Sequence, residues 1–414
     1  MEININNEDL LNSIAIVSTL VMGVLLIRKK LIESELWKAT VTPLSSIIGS
    51  GFLIVAPLLH SVFGKWAPLG MIILSVFGYS IGIVIRFNIK HAENYLISNN
   101  GDFVCKIEKI SQVLLGLSYA VSVAFYISLF TSFISKEFGI DQILIMKWIT
   151  TVTLLSVMGL AWWRGTKGLE RIELIAVTIK LAVITGVLIA LASYDVITQT
   201  DWFQHSPIKT LTLFEKTAML AGMLMVTQGF ETTRFMGEHY STDMRVKASR
   251  NSQGIAIVIY IIFIGLTCPI FLNFPIVELN ETTVSYSLGQ AVSILPLLLL
   301  GAAIASQLSA ALADTIGAGG LLKEIIPSSF SLKVYYMAVI AAAIFLIWSA
   351  NVFEIINFAS KGFASYFLLQ TFIAFKLIRL ELKGQQQGIA LMGCLFLQLA
   401  LMFVIFFSIP APHS

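Results

Sequence analysis

The chain has 414 residues, of which 57% are hydrophobic and 12% charged, with a formal net charge of +3. Mean hydropathy is +0.85, whereas soluble domains carry about 25% charged residues, so a soluble enzyme is excluded. No basic stripe stands apart from the loops, which excludes a nucleic-acid surface.

About twelve apolar stretches are long enough to cross a hydrocarbon core of roughly 30 Å, and helix is the structure lipid permits for them. The first, 10–28, has no basic leader and no clear small-residue cleavage site, so it reads as a retained helix. The next, 42–62, is interrupted by Ile48-Gly49-Ser50-Gly51-Phe52. Spans follow at 67–87, 110–134, 146–163 and 172–193. The seventh, 216–236, is interrupted at Gln228-Gly229-Phe230-Glu231, and the rest are 254–274, 290–315, 334–349, 353–378 and 388–408. The longer loops fall at 88–109, 194–213, 237–252 and 275–289.

Lys and Arg placement supports this alternation. With 29–41 in the cytoplasm, twenty Lys and Arg fall on the inner side and five outside, while Lys180 and Lys361 lie in the membrane. This is the bias of the positive-inside rule. Both termini are then extracytoplasmic, and the expected location is a bacterial inner membrane. Cys105, Cys268 and Cys394 have no metal-like spacing. Asn280-Glu281-Thr282 is a sequon on the outer side.

The two interruptions have a shared logic. Glycine costs roughly 0.8–1 kcal/mol relative to alanine inside a helix, and freed backbone groups in lipid survive only beside a cavity or packed protein. Paired broken helices in corresponding halves point to the substrate site of a secondary transporter. Spans two to six and seven to eleven share this punctuation, and five spans per half give the second half the opposite orientation. The expected organisation is an extra helix and linker over 1–38 and a first five-helix repeat over 39–194. An outer loop over 195–213, a second repeat over 214–379 and a terminal helix over 380–414 complete it.

These residues resemble the amino acid–polyamine–organocation (APC) superfamily. Ile48–Phe52 is similar to that family's first-core-helix signature. Arg164-Gly165-Thr166-Lys167-Gly168, followed by Thr178-Ile179-Lys180-Leu181, is similar to its junction between core helices four and five. Gln228–Glu231 looks like the break in core helix six, and Arg245-Val246-Lys247-Ala248-Ser249-Arg250 follows in a familiar position. The resemblance covers roughly 39–379 and implies a LeuT-type fold, two inverted five-helix repeats holding substrate near the midplane. The chain departs from the family in having one helix before the core and only one after it, and in the position of Pro57.

Ile48, Gly49, Ser50 and Gly51 are candidate substrate ligands, because a half-helix N-terminus presents N–H groups to a carboxylate. The competing reading is a small-residue packing face. Thr227, Gln228, Gly229 and Phe230 are their counterparts in the second break, with Tyr119 and Tyr126 as further wall candidates. Lys180 stands about 12 Å into its span, where a charge costs at least about 2.5–3.5 kcal/mol. The resemblance implies a role for it, since sodium-independent members carry a lysine where sodium-coupled relatives bind a cation. A fixed structural cation is the equal alternative. Glu231 is a proton site, a hold on the unwound segment, or one half of an ion pair with Arg234 at i+3. Lys361 has Glu231, Asp314 or an anionic substrate as partners to choose from. Ser306, Gln307 and Ser309 form a polar patch on the ninth span.

The leading reading is a secondary transporter of an amino acid or related amine, sodium-independent and working by proton coupling or exchange, with the bilayer and a small molecule as partners and no cofactor. The alternatives are a receptor or sensor that binds a ligand without moving it, and a carrier of another substrate. A metal carrier of the same fold is weakened by the lack of an Asp-Pro-Asn type break. An intramembrane enzyme is disfavoured because His60, His91, His205, His239 and His413 lie at span ends or in loops. There is no GxxxxGK[ST] motif for ATP-driven pumping.

Overall fold

The computed structural model describes residues 5–49, 51–99, 102–164, 169–199, 211–274, 279, 282–326 and 330–410. Among them every regular element is helical. The chain starts with α1 (Ile5–Leu26) and the single turn α2 (Lys29–Ile32). Next come α3 (Glu35–Ile47), α4 (Gly51–Phe63) and, after a 3-10 turn at Gly64–Trp66, α5 (Ala67–Ser98). Three long helices follow: α6 (Phe103–Glu137), α7 (Ile143–Arg164) and α8 (Leu169–Thr198). The second interrupted element is α9 (Leu213–Gly222) with 3-10 turns at Leu224–Thr227 and Phe230–Phe235. Then come α10 (Thr242–Asn273), α11 (Thr283–Ala291), α12 (Leu295–Ile325), α13 (Leu332–Ser349), α14 (Val352–Glu381) and α15 (Gly384–Phe407).

Ten stretches of the described residues are long and apolar enough to cross a membrane, one of which, Gly51–Ser98, holds both α4 and α5. With the two interrupted elements, each of the twelve expected stretches has a helical counterpart. The chain is an all-α integral membrane protein.

The loops differ from expectation. The segment 88–109 is mostly helix, because α5 runs to Ser98 and α6 starts at Phe103. Asp102 fixes that start: its Oδ1 accepts the Phe103 N–H at 2.7 Å, and its Oδ2 accepts from Tyr95 at 2.8 Å and Lys376 at 2.6 Å. The segment 237–252 likewise becomes the first turns of α10, capped by Ser241. The segment 275–289 holds most of α11. Helical backbone satisfies itself whether or not its side chains are apolar, so hydropathy alone ends these helices too early. The sequon residues Asn280 and Glu281 lie outside the described residues.

α6 packs along α12 and α14, and α10 along α5 and α3. The extra helix α1 lies along α8, with Leu11 and Ala15 fully buried. A Cβ added to Gly23 would stand 3.8 Å from the Ala182 Cβ, the close approach that small residues give helices in lipid. Asn12 ties α1 to the start of α12, donating to Ser293 at 3.0 Å and accepting the Ile294 N–H at 3.1 Å.

Candidate functional site

The two breaks lie against each other. α3 stops because Ile48 and Gly49 turn back, their N–H groups donating to the carbonyls of Leu44 at 3.0 Å and Ser46 at 3.1 Å. The helix resumes at Gly51, and Ser50 lies outside the described residues. Gly229 takes φ +124°, a conformation L side chains rarely adopt. A Cβ there would stand 2.6 Å from the Ile47 nitrogen and 2.8 Å from the Ser46 Cβ. A Cβ on Gly51 would likewise stand 3.1 Å from the Val226 Cα. Only glycine at 229 lets the second break touch the first.

Interrupted helices leave carbonyls without N–H partners, and side chains from other helices supply them. Lys180 of α8 is buried and donates from Nζ to the Ser45 carbonyl at 3.0 Å. Tyr260 of α10 donates to the Ile47 carbonyl at 2.7 Å, and its hydroxyl lies 3.2 Å from the Val226 carbonyl. Ser360 of α14 donates to the Gly222 carbonyl at 2.7 Å and accepts the Met225 N–H at 2.9 Å. Within the second break, Thr232 donates to the Gly229 carbonyl at 2.7 Å. Glu231 Oε2 accepts the Gly229 N–H at 2.7 Å, while its buried Oε1 has no hydrogen-bond partner among the described residues.

A cavity of about 250 Å³ adjoins this junction. Ser45 and Ser46, Tyr119, Thr232 and Asp314 line it, and its walls reach Met236 and Leu321. A smaller space of about 10 Å³ lies between Ser46, Gly51, Tyr126 and Gln228. Gln228 Nε2 stands 3.4 Å from the Tyr126 hydroxyl, and Gln228 Oε1 is buried without a partner among the described residues.

The expected residues therefore divide. Gly51, Gln228, Gly229, Lys180 and Asp314 are at the junction or the cavity, with Ile48 and Gly49 forming the first turn-back. Thr227 faces Gly78 and Gln253 rather than the cavity. Phe230 is fully buried and stacks on Phe367, centroids 5.5 Å apart, so it packs and does not wall the cavity. The Glu231–Arg234 pair does not form. Arg234 instead binds Glu108 of α6, at 2.9 Å from Nη2 and 3.2 Å from Nε. The 3-10 turn keeps i and i+3 on one side, so spacing does not prevent the pair; Glu108 takes the Arg234 guanidinium, and Glu231 Oε2 takes the Gly229 N–H. Lys361 pairs with neither Glu231 nor Asp314; among the described residues it has no ion pair. It shares the half-exposed face of α14 with Phe358 and Ser365.

Four partners went unread in the sequence. Glu108 fell in an expected loop, so its burial carried no signal. Gln370 donates to Glu108 and to Ser111, both at 2.9 Å, and Asn88 donates to Gln370 at 2.8 Å. Asn88 and Gln370, amides inside or at the ends of apolar spans, were the legible sign of this network. Tyr260 looked like one more aromatic in an apolar run.

The family model for APC superfamily transporters matches residues 29–408. An uncharacterised protein of Aquifex aeolicus (strain VF5) is 39% identical over 360 residues, covering 86% of this chain and 87% of that protein. Among solved structures, two crystal structures of mutants of the Eremococcus coleocola manganese transporter superpose with TM-scores of 0.57 and 0.56 at 14% identity. Each covers 91% of this chain and 87% of its own. The same transporter bound to an aromatic bis-isothiourea substituted compound gives a TM-score of 0.54 at 14% identity, covering 89% and 86%. At that identity the likeness concerns the fold. The chain belongs to the APC superfamily of transporters.

Proposed function

We propose that this transporter carries an amino acid or related amine by alternating access, without sodium, through proton coupling or exchange. The observation that carries the reading is Lys180 Nζ on the Ser45 carbonyl, 3.0 Å away. A lysine ammonium held on a carbonyl of the broken helix stands in for a coupling cation. Loss of its proton weakens that hold and frees α3 to move. Backbone N–H groups at the start of α4, around Gly51, receive the substrate carboxylate, and carbonyls of both breaks, with Gln228, receive its amino group. Asp314 and Glu231 add acceptors for a cationic ligand.

The cavity of about 250 Å³ reaches Met236 and Leu321, beside segments that the Lys and Arg distribution assigns to the cytoplasm. The conformation is therefore inward-facing, and the location is a bacterial inner membrane with both termini outside. The fold's likeness to a manganese transporter supplies a second substrate class. The first break lacks acidic ligands, Ile48, Gly49 and Gly51 being apolar or small, which favours the amine.

The test is uptake of pooled labelled amino acids into proteoliposomes, with and without an inward proton gradient and with sodium absent. Gradient-stimulated or counter-substrate-stimulated uptake is expected. Binding without flux in preloaded and empty vesicles alike would make the protein a receptor.

A further inference from the structure

A second groove lies outside the junction of the two breaks and reaches the back of the second one. It has a volume of about 820 Å³ and runs between α5, α9, α14 and α15. On α5 its wall is the stripe Ile73, Val76, Ser80, Ile83 and Phe87, spaced three and four residues apart on one face. From Ile72 to Phe87 the stripe rises about 22 Å at 1.5 Å per residue, most of a hydrocarbon core of roughly 30 Å. The next position on that face is Lys90, which is exposed.

Two more cations adjoin the same end. Ile378 and Leu382 of α14 line the groove, and the exposed Arg379 and Lys383 follow them in sequence. Glu381 is the nearby acid, and it faces His91 across 3.6 Å, which also shows that the ends of α5 and α14 meet there. The groove therefore has an apolar length and a cationic end. Its inner wall includes Leu220 and Leu224, which flank the turn out of α9 into the second break.

We propose that this groove binds an anionic phospholipid, its acyl chains along α5 and α15 and its phosphate at Lys90, Arg379 and Lys383. Basic pockets between membrane helices recognise anionic headgroups in this way, and the long stems of Lys and Arg lie along apolar wall while their charges reach the headgroup layer. The lipid contacts Leu224 directly and thereby steadies the second break from behind.

The test is native mass spectrometry of the protein released from bilayers of equal phosphatidylglycerol and phosphatidylcholine. Wild type is expected to retain phosphatidylglycerol preferentially. Lys90→Gln with Lys383→Gln should lower that preference by about fivefold per charge, and the paired Lys→Arg variant should keep it. Gly393 lines the groove, and a Cβ there meets no heavy atom within 4 Å, so Gly393→Phe fills the space without striking backbone. It should lose both lipids while still folding and unfolding cooperatively. Equal retention of the two lipids by wild type would overturn the proposal. So would full retention by Gly393→Phe, or a wild-type dimer that this variant converts to monomer, which would make a second copy the occupant. If Gly393→Phe does not fold, the charge variants decide alone.

Discussion

The Tyr260 hydroxyl donates to the Ile47 carbonyl at 2.7 Å, joining α10 to the end of the first half-helix. The same oxygen is 3.2 Å from the Val226 carbonyl, so one side chain holds the backbone of both breaks. Tyr260→Phe leaves a buried carbonyl unpaired, at a cost of about 1–3 kcal/mol. The expected result is a lower melting temperature and slowed uptake with expression retained. Wild-type values for both would show that the contact carries no energy.

Gly229 is tested by alanine. Its φ of +124° and the 2.6 Å approach to Ile47 leave no room for a Cβ without parting the breaks. Backbone strain of this kind costs about 1–3 kcal/mol. Gly229→Ala should lose ligand binding and flux together, whereas Gly254→Ala, where a Cβ meets nothing within 4 Å, should leave both unchanged.

The Glu108–Arg234 pair is nine-tenths or more buried on both sides. Removing one partner of such a pair costs about 3–5 kcal/mol, because the other charge stays buried. Glu108→Leu should therefore destabilise more than the double variant Glu108→Leu with Arg234→Met. A double-mutant cycle in thermal unfolding reads this; additive losses would mean that the two side chains are not coupled.

Asp102 gives a pH prediction. The Lys376 ammonium, the Tyr95 hydroxyl and the Phe103 N–H, in that order, hold its carboxyl at about 2 against an ordinary 3.8. A depressed carboxyl stabilises the fold fully above its unfolded value and loses that contribution as pH falls through its folded value. The stability gap between wild type and Asp102→Asn should thus be constant from pH 7 to pH 5 and shrink between about pH 4 and pH 2. A gap that widens on acidification would contradict the assignment.

How much of this was legible in the sequence follows from the kind of signal involved. Span count, helix class and both interruptions follow from hydropathy and from glycines in apolar runs, which are local properties. Lys180 was legible because a cation deep in a span has few reasons to be there. Its partner, the Ser45 carbonyl, was not, since a backbone oxygen carries no sequence mark. Arg234 was assigned to Glu231 by helical spacing, but Glu108, distant in sequence, takes the guanidinium, and the Gly229 N–H takes Glu231 Oε2. Glu108 was hidden because α5 and α6 continue as helix through charged residues that hydropathy reads as loop. Phe230 sat at the right place in the chain, but its ring turns to Phe367, and orientation is a tertiary property.

The central claim is that the Lys180 ammonium on the Ser45 carbonyl couples substrate movement to protons. The direct measurement is proton-gradient-driven uptake in sodium-free proteoliposomes for wild type, Lys180→Ala and Lys180→Arg at matched protein orientation. The account predicts that Lys180→Ala abolishes gradient-driven uptake while remaining folded, and that Lys180→Arg folds normally with altered coupling. Full gradient-stimulated uptake by Lys180→Ala would contradict it.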